Sequence, residues 1–279
     1  MRRAGFTFSI WLVAIAVQGQ HAQTSLSLSV PKNDRVSVIK TSVRLAEWHE
    51  KSFWRLYDKY MVDAVKGYSL TYRSLSELAK TDNTLDGPEA FQNGRNLIDY
   101  RENELALRKQ YYQEIGGALN GVIALQFLQT EAMMDMIESS EIYGKSTWKK
   151  FRFHPLALSE EQARAAKHNI LKSALSLSAS EENSFWPVYE RFEEECNALL
   201  GNDYNIYTLF ASDAADFTPA LAKRLGHDLL RVMERENKLK EKYFLEMSAT
   251  AGSVIAARFL AWEDYYSLIS KMHAWAETP

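Results

Sequence analysis

Two stretches of the chain place aromatic residues on one face of a helix. SFWRLYDKY spans residues 52–60, and SFWPVYERF spans residues 184–192. In each, apolar side chains fall at positions i, i+3 or i+4 and i+7, which is the spacing of an amphipathic α-helix. The positions that correspond are Phe53 and Phe185, Trp54 and Trp186, Tyr57 and Tyr189, Tyr60 and Phe192.

This correspondence extends over about 100 residues at a constant offset of 132. GRNLI (94–98) pairs with GHDLL (226–230), and VIALQFLQTE (122–131) pairs with VIAARFLAWE (254–263). Over residues 38–137 about 24 of 100 positions are identical at this offset, where chance gives roughly 6. The pattern indicates a tandem duplication.

The periodicity predicts three helices in each copy. The first carries the aromatic motif, the second covers about residues 88–117 and 218–249, and the third about 121–139 and 253–274. We therefore expect an all-α fold with two tandem copies of a three-helix, long-hairpin unit, 23–140 and 168–279. A connector, 141–167, contains a further helix. The copies either pack together as a single-chain pseudo-dimer or form two independent bundles.

The first 22 residues have the pattern of a cleaved signal peptide. Arg2 and Arg3 precede the apolar run GFTFSIWLVAIAV, and cleavage is expected after Ala22. The run is short for a membrane span, so we expect a periplasmic protein with no membrane span after cleavage. The remaining chain has 31 basic and 36 acidic residues, a charge of about −5, which argues against nucleic-acid binding. The single cysteine, Cys196, excludes an intrachain disulfide and is expected to be buried.

The order of these motifs resembles the Spy/CpxP-like LTXXQ family of periplasmic proteins, in particular its "FWPVY…ARFxxxE" relatives. The motifs are FWPVY (185–189), a charged helix ending in KYF, and ARFLAWE (257–263), with a looser copy in the first half. LSASE (177–181) stands where the family has LTxxQ. The resemblance implies all-α hairpins that form curved dimers and act as ATP-independent chaperones, stress-signalling modulators or metal-linked sensors. The chaperone members have a basic concave surface, whereas this chain is acidic.

Candidate chemistry centres on two glutamates that recur in register, Glu131 and Glu263. Each follows a repeated phenylalanine, Phe127 or Phe259, on or near an apolar stripe. A buried carboxylate needs a partner, so we expect a structural acceptor for a Trp or Tyr donor of the first helix, with a catalytic acid as the alternative. No histidine completes a Glu-x-x-His motif, and no nucleophile elbow, phosphate loop or zinc pattern is present. We predict no enzyme, no cofactor and no metal site.

The basic, aromatic connector STWKKFRFHP (146–155) is a possible binding strip or a packed linker. Its residues are Trp148, Lys149, Lys150, Phe151, Arg152 and Phe153. The expected function is an exported, non-enzymatic helical binding protein that holds unfolded or envelope proteins, or modulates a sensor domain, through an apolar and aromatic face. Self-association is possible. The alternative is a periplasmic metal-responsive sensor or metal buffer.

Overall fold

The structure is a computed structural model that describes residues 32–78, 85–144, 160–211 and 214–276. The expected signal peptide and the strip 148–153 lie outside these ranges. The all-α prediction is confirmed, since the described residues form helices without strands. The helices are α1 (Lys32–Ser42), α2 (Glu47–Leu78), α3 (Gly87–Ala118), α4 (Gly121–Gly144), α5 (Glu160–Leu175), α6 (Ala179–Ala211), a short 3-10 helix (Ala214–Asp216), α7 (Pro219–Thr250) and α8 (Ser253–Ala276).

Equivalent capping residues start the long helices. The side chain of Asp86 accepts a hydrogen bond from the amide of Glu89 at 2.8 Å, and Thr218 accepts from Leu221 at 3.3 Å. Both caps precede a proline in the first turn, where no intrahelical amide bond is lost. Positions 86 and 218 are 132 residues apart, so the two halves start these helices in the same register.

Each half consists of a long antiparallel hairpin with two further helices against it. α2 packs along α3 and α6 along α7, while α4 and α8 lie beside the second helix of each hairpin. α1 packs on α4, and α5 packs on α8. The expectation of three helices per copy therefore omits α1, whose sequence KNDRVSVIKTS lacks a clear apolar stripe. α4 also continues to Gly144, and α5 spans the boundary placed at residue 168.

The two halves are packed against each other through reciprocal contacts. α3 and α4 contact both α7 and α8. A β-carbon at Gly94 would lie 2.3 Å from the ring of Phe244, and one at Gly226 would lie 2.4 Å from the ring of Tyr112. At the offset of 132, Gly226 corresponds to Gly94 and Phe244 corresponds to Tyr112. The glycine of each half therefore contacts the corresponding aromatic ring of the other half. Such reciprocal contacts are the pattern of a twofold interface.

The hydrophobic interior also draws on both halves. The second core is formed mainly by residues 171–265, but it includes Leu78, Ala90, Leu97 and Ile98 of the first half. The first core is formed mainly by residues 39–134, but it includes second-half residues, and these are Phe210, Ala214, Ala222, Leu225, Leu229 and Leu230. At the offset of 132, Phe210, Ala222, Leu229 and Leu230 correspond to Leu78, Ala90, Leu97 and Ile98. Each half therefore completes the core of the other.

No described helix is both long enough and apolar enough to cross a lipid bilayer.

Candidate functional site: two buried glutamate centres

The repeated aromatic motif forms a closed cluster in each half. Phe53, Tyr57 and Phe127 are fully buried, as are Phe185, Tyr189 and Phe259, whereas Trp54 and Trp186 are partly buried. Ring centroids of Tyr60 and Phe127 are 5.0 Å apart at 88°, and those of Phe192 and Phe259 are 5.0 Å apart at 89°. The repeated aromatic motif therefore faces the interior in both halves, as expected of a structural motif.

Glu131 lies at the centre of the first cluster and has no exposed surface. Its carboxylate accepts hydrogen bonds from the hydroxyls of Tyr57 at 3.2 Å and Tyr60 at 2.8 Å. The guanidinium of Arg35 in α1 donates to the same carboxylate at 2.8 Å. One buried negative charge thus has a cation and two hydroxyl donors, which offset the cost of removing it from water.

A second buried ionic group adjoins this centre. The guanidinium of Arg108 is 4% exposed and donates to Glu104 at 2.6 Å and to Asp135. Burial raises the pKa of Glu104 to about 7, while Arg108 and Arg101 lower it and Asp135 and Glu131 raise it further. The Glu104 carboxyl therefore takes up a proton near neutral pH, chiefly because burial disfavours its charged form.

Glu263 forms the corresponding centre in the second half with weaker support. It accepts from the hydroxyl of Tyr189 at 3.3 Å. Phe192, which replaces Tyr60, has no hydroxyl to donate. Lys167 occupies the position of Arg35, but its ammonium is 4.0 Å from Glu263 and 3.3 Å from Glu193. The second carboxylate therefore has one close hydroxyl donor and a shared lysine.

Polar groups without a counterpart in the first half surround Glu263. Glu193, His168 and Cys196 occupy positions that are Met61, Val36 and Ala64 in the first half. The ring of His168 stacks on Trp186 at 4.7 Å. Its buried Nε2 has no hydrogen-bond partner and is 3.5 Å from the Glu193 carboxylate.

The tyrosine hydroxyls and the cysteine thiol at these centres are held in their protonated forms. Burial raises the pKa of Tyr57 and of Tyr60, and the adjacent Glu131 carboxylate raises both further. Burial, together with Glu263 and Glu236, raises the pKa of the Cys196 thiol to about 12, so this thiol is protonated and a poor nucleophile at neutral pH. These groups can hold a charge and donate hydrogen bonds to it. Across the described residues, no three His, Cys, Asp or Glu side chains form a group that could hold a metal ion.

The outer face of α2 carries an apolar feature that sequence reasoning missed. Trp48 is 80% exposed, and Val62 on the same helix is 59% exposed. The sequence gives little indication of this, because Trp48 lies outside the repeated motif and its counterpart is Ser180.

Comparison of the chain with models of protein families, with curated proteins and with solved structures finds no match to any of the three.

Proposed function

We propose that this chain is an exported, non-enzymatic binding protein that holds polypeptide segments on the outer face of α2. The observation that carries the proposal is the exposure of Trp48, since the repeated aromatic residues in the described part of the chain are partly or fully buried. Covering this side chain with a partner is favourable, because it removes apolar surface from water.

The residues around Trp48 form one stripe along the helix. Lys51, Arg55, Lys59 and Val62 follow Trp48 at intervals of three or four residues, and all are exposed. This spacing places them on one side of α2. The stripe is apolar at its ends and cationic between them, which suits a segment with apolar and acidic side chains. We commit to a non-native polypeptide as the occupant, and binding of a folded sensor domain would be a different outcome.

The second half does not repeat the stripe. The corresponding residues of α6 are Ser180, Asn183, Pro187, Arg191 and Glu194, none of which is a large exposed apolar side chain. Both apolar ends of the stripe are therefore polar in α6, and only one of its three cations, at Arg191, remains. A client-binding role therefore belongs to the first half, and the second half serves mainly to complete the fold.

The proposed chaperone-like activity can be tested without nucleotide. Residues 23–279 should suppress the aggregation of reduced α-lactalbumin, an acidic unfolded client, as measured by light scattering. Trp48→Ala should need roughly tenfold more protein for the same suppression while melting at the wild-type temperature, since interface tryptophans dominate binding energy.

A matched control is Leu245→Ala, which removes another exposed apolar side chain, 43% exposed, from α7. This variant should retain wild-type suppression. Equal losses in both variants, or no suppression by the wild type, would contradict the proposal. Binding only to a folded receptor domain, measured by calorimetry, would replace the chaperone role with a signalling role.

Export is proposed from the N-terminal pattern of residues 1–22. Mass spectrometry of protein recovered from the periplasm should show a chain that begins at Gln23. Recovery of a full-length chain from the cytoplasm alone would contradict export.

A further inference from the structure

Among the described residues, three cations of α3 form ion pairs with carboxylates of the second half. Arg95 pairs with Glu241 at 2.6 Å, Lys109 pairs with Glu234 at 3.6 Å, and Arg101 pairs with Asp264. In all three, the cation belongs to the first half and the carboxylate to the second. The interface has a twofold pattern of packing but a directional pattern of charge.

The glycine–aromatic contacts do not distinguish the two halves. Gly94 receives the ring of Phe244, and Gly226 receives the ring of Tyr112. If a half were paired with a copy of itself, each glycine would receive the other aromatic ring, which has nearly the same size. A second–second pairing would nevertheless be strained by shape, because Ser253 would replace Gly121, where a β-carbon would lie 2.3 Å from the backbone oxygen of Pro219. Shape alone does not exclude the first–first pairing.

The charges differ sharply among these pairings. Because the two halves share one register, the contacts of a like pair follow when a residue is replaced by its counterpart 132 positions away. Lys109 stands at the position of Glu241, so a first–first pair would bring Arg95 against Lys109. Lys109 itself would keep a carboxylate partner, because Glu102 stands at the position of Glu234. In a second–second pair, Glu241 would face Glu234.

Of the three ion pairs, that of Arg101 with Asp264 has the least exposed side chains, and neither like pairing could form it. Arg101 and Asp264 are each only 16% exposed at the side chain, and Lys240 also contacts Asp264 at 3.1 Å. The counterpart of Asp264 is Ala132, and the counterpart of Arg101 is Met233. Neither like pair can therefore form this contact, and Asp264 would face Met233 in a second–second pair. Loss of a partly buried pair costs more than loss of an exposed one.

We propose that the α3 face of the first half is a charge-coded binding surface whose partner is the acidic α7–α8 face of the second half, and that it rejects a copy of itself. Discrimination of this kind uses repulsion in the wrong complex as well as attraction in the right one. The inference rests on the contacts between the halves and is independent of the proposed client binding.

A nicked form of the full chain provides the test. A protease site is inserted between Gly144 and Glu160, and the folded protein is cleaved there. Light and ¹⁵N-labelled nicked samples are mixed, and native mass spectrometry counts the pairs after exchange. Mixed first–second pairs should exceed like pairs by at least about tenfold.

One substitution should weaken the discrimination against first–first pairs. Arg95→Glu reverses the charge at this contact, so that residue 95 would attract Lys109 in a first–first pair and repel Glu241 in a mixed pair. First–first pairs should rise about tenfold. Lys51→Glu is the matched control, because it makes the same charge change on the exposed face of α2 and should leave the distribution unchanged.

Like pairs as abundant as mixed pairs in the unmodified protein would overturn the proposal, as would equal effects of Arg95→Glu and Lys51→Glu. If cleavage unfolds the protein, the intact chain supplies the readout. Arg95→Glu and Glu241→Arg should each lower the urea midpoint, and the double reversal should restore it. Additive losses in the double variant would overturn the charge code.

Discussion

The Glu131 and Glu263 centres have the same aromatic frame and different polar support. Tyr57 and Phe127 are 6.4 Å apart at their ring centroids, and their counterparts Tyr189 and Phe259 are 5.9 Å apart. Glu131, however, is held by an arginine and two tyrosines, whereas Glu263 has one tyrosine and a lysine at 4.0 Å.

This difference indicates that the aromatic rings and the carboxylate of each centre are under different structural constraints. The aromatic frame determines how three helices pack, so its shape is the same in both halves. The carboxylate needs only enough donors to offset its burial, and different residues supply them. Packing and charge compensation thus account for the repeated buried glutamate.

The largest predicted effect is the loss of the first carboxylate. Glu131→Leu removes the carboxylate that accepts from Arg35, Tyr57 and Tyr60 and should lower the free energy of unfolding by about 3–5 kcal/mol. Glu263→Leu should cost about 1–3 kcal/mol, since it orphans one hydroxyl and a lysine that retains Glu193. Urea denaturation of both variants measures the difference. Equal losses would show that the two centres are equally supported and would contradict the comparison.

The reciprocal glycines should be nearly as sensitive and should behave alike. Gly94→Ala and Gly226→Ala each place a methyl group against a buried ring of the other half and should cost about 1–3 kcal/mol. Gly117→Ala is the control, because nothing lies within 4 Å of its β-carbon position and alanine favours a helix. Thermal melts of the three variants are compared. A loss at only one of the two interface glycines would mean that the halves do not meet reciprocally.

The ionic group beside Glu131 predicts a dependence on pH. Because the pKa of Glu104 is raised to about 7 from 4.5 by burial, the native state holds a proton that the unfolded state releases. Stability should therefore fall as the pH rises from 6 to 8, by about 1 kcal/mol from this group. Glu104→Gln should remove that part of the slope, measured by urea denaturation at each pH.

The control for the pH slope is Glu195, whose pKa is lowered by hydrogen bonds from Lys242 and Tyr243. Its carboxyl is charged throughout the range from pH 6 to 8, so Glu195→Gln should leave the slope as it is. An unchanged slope in Glu104→Gln would show that another group causes it.

The smallest predicted effect exchanges the donors between the two centres. Tyr60→Phe removes a buried hydroxyl from Glu131 and should cost about 0.5–1.5 kcal/mol. Phe192→Tyr adds a hydroxyl at the corresponding position beside Glu263 and should be neutral or slightly stabilising. Denaturant titrations measure whether each substitution lowers or raises the free energy of unfolding. Destabilisation by Phe192→Tyr as large as that by Tyr60→Phe would show that the second centre cannot accept the donor.

The sequence predicted the long helices to within a few residues, because their apolar periodicity and caps are local signals. Local periodicity did not reveal α1, whose stability comes from packing on α4 and from the pair between Arg35 and Glu131. The aromatic motif was recognised from its spacing, but its inward orientation depends on the contacts between the helices. The sharing of each core by both halves depends on contacts more than 100 residues apart, which no local pattern encodes.

The central claim is that each half completes the core of the other. Leu78 belongs to the first half by sequence but packs in the second core, and Phe210 has the converse position. Hydrogen exchange of Leu78→Ala, followed by mass spectrometry, measures the claim most directly. We predict faster exchange in α6 and α8, and in α3 and α4 for Phe210→Ala. Faster exchange confined to the half that carries the substitution would contradict the claim and would make the halves two independent bundles.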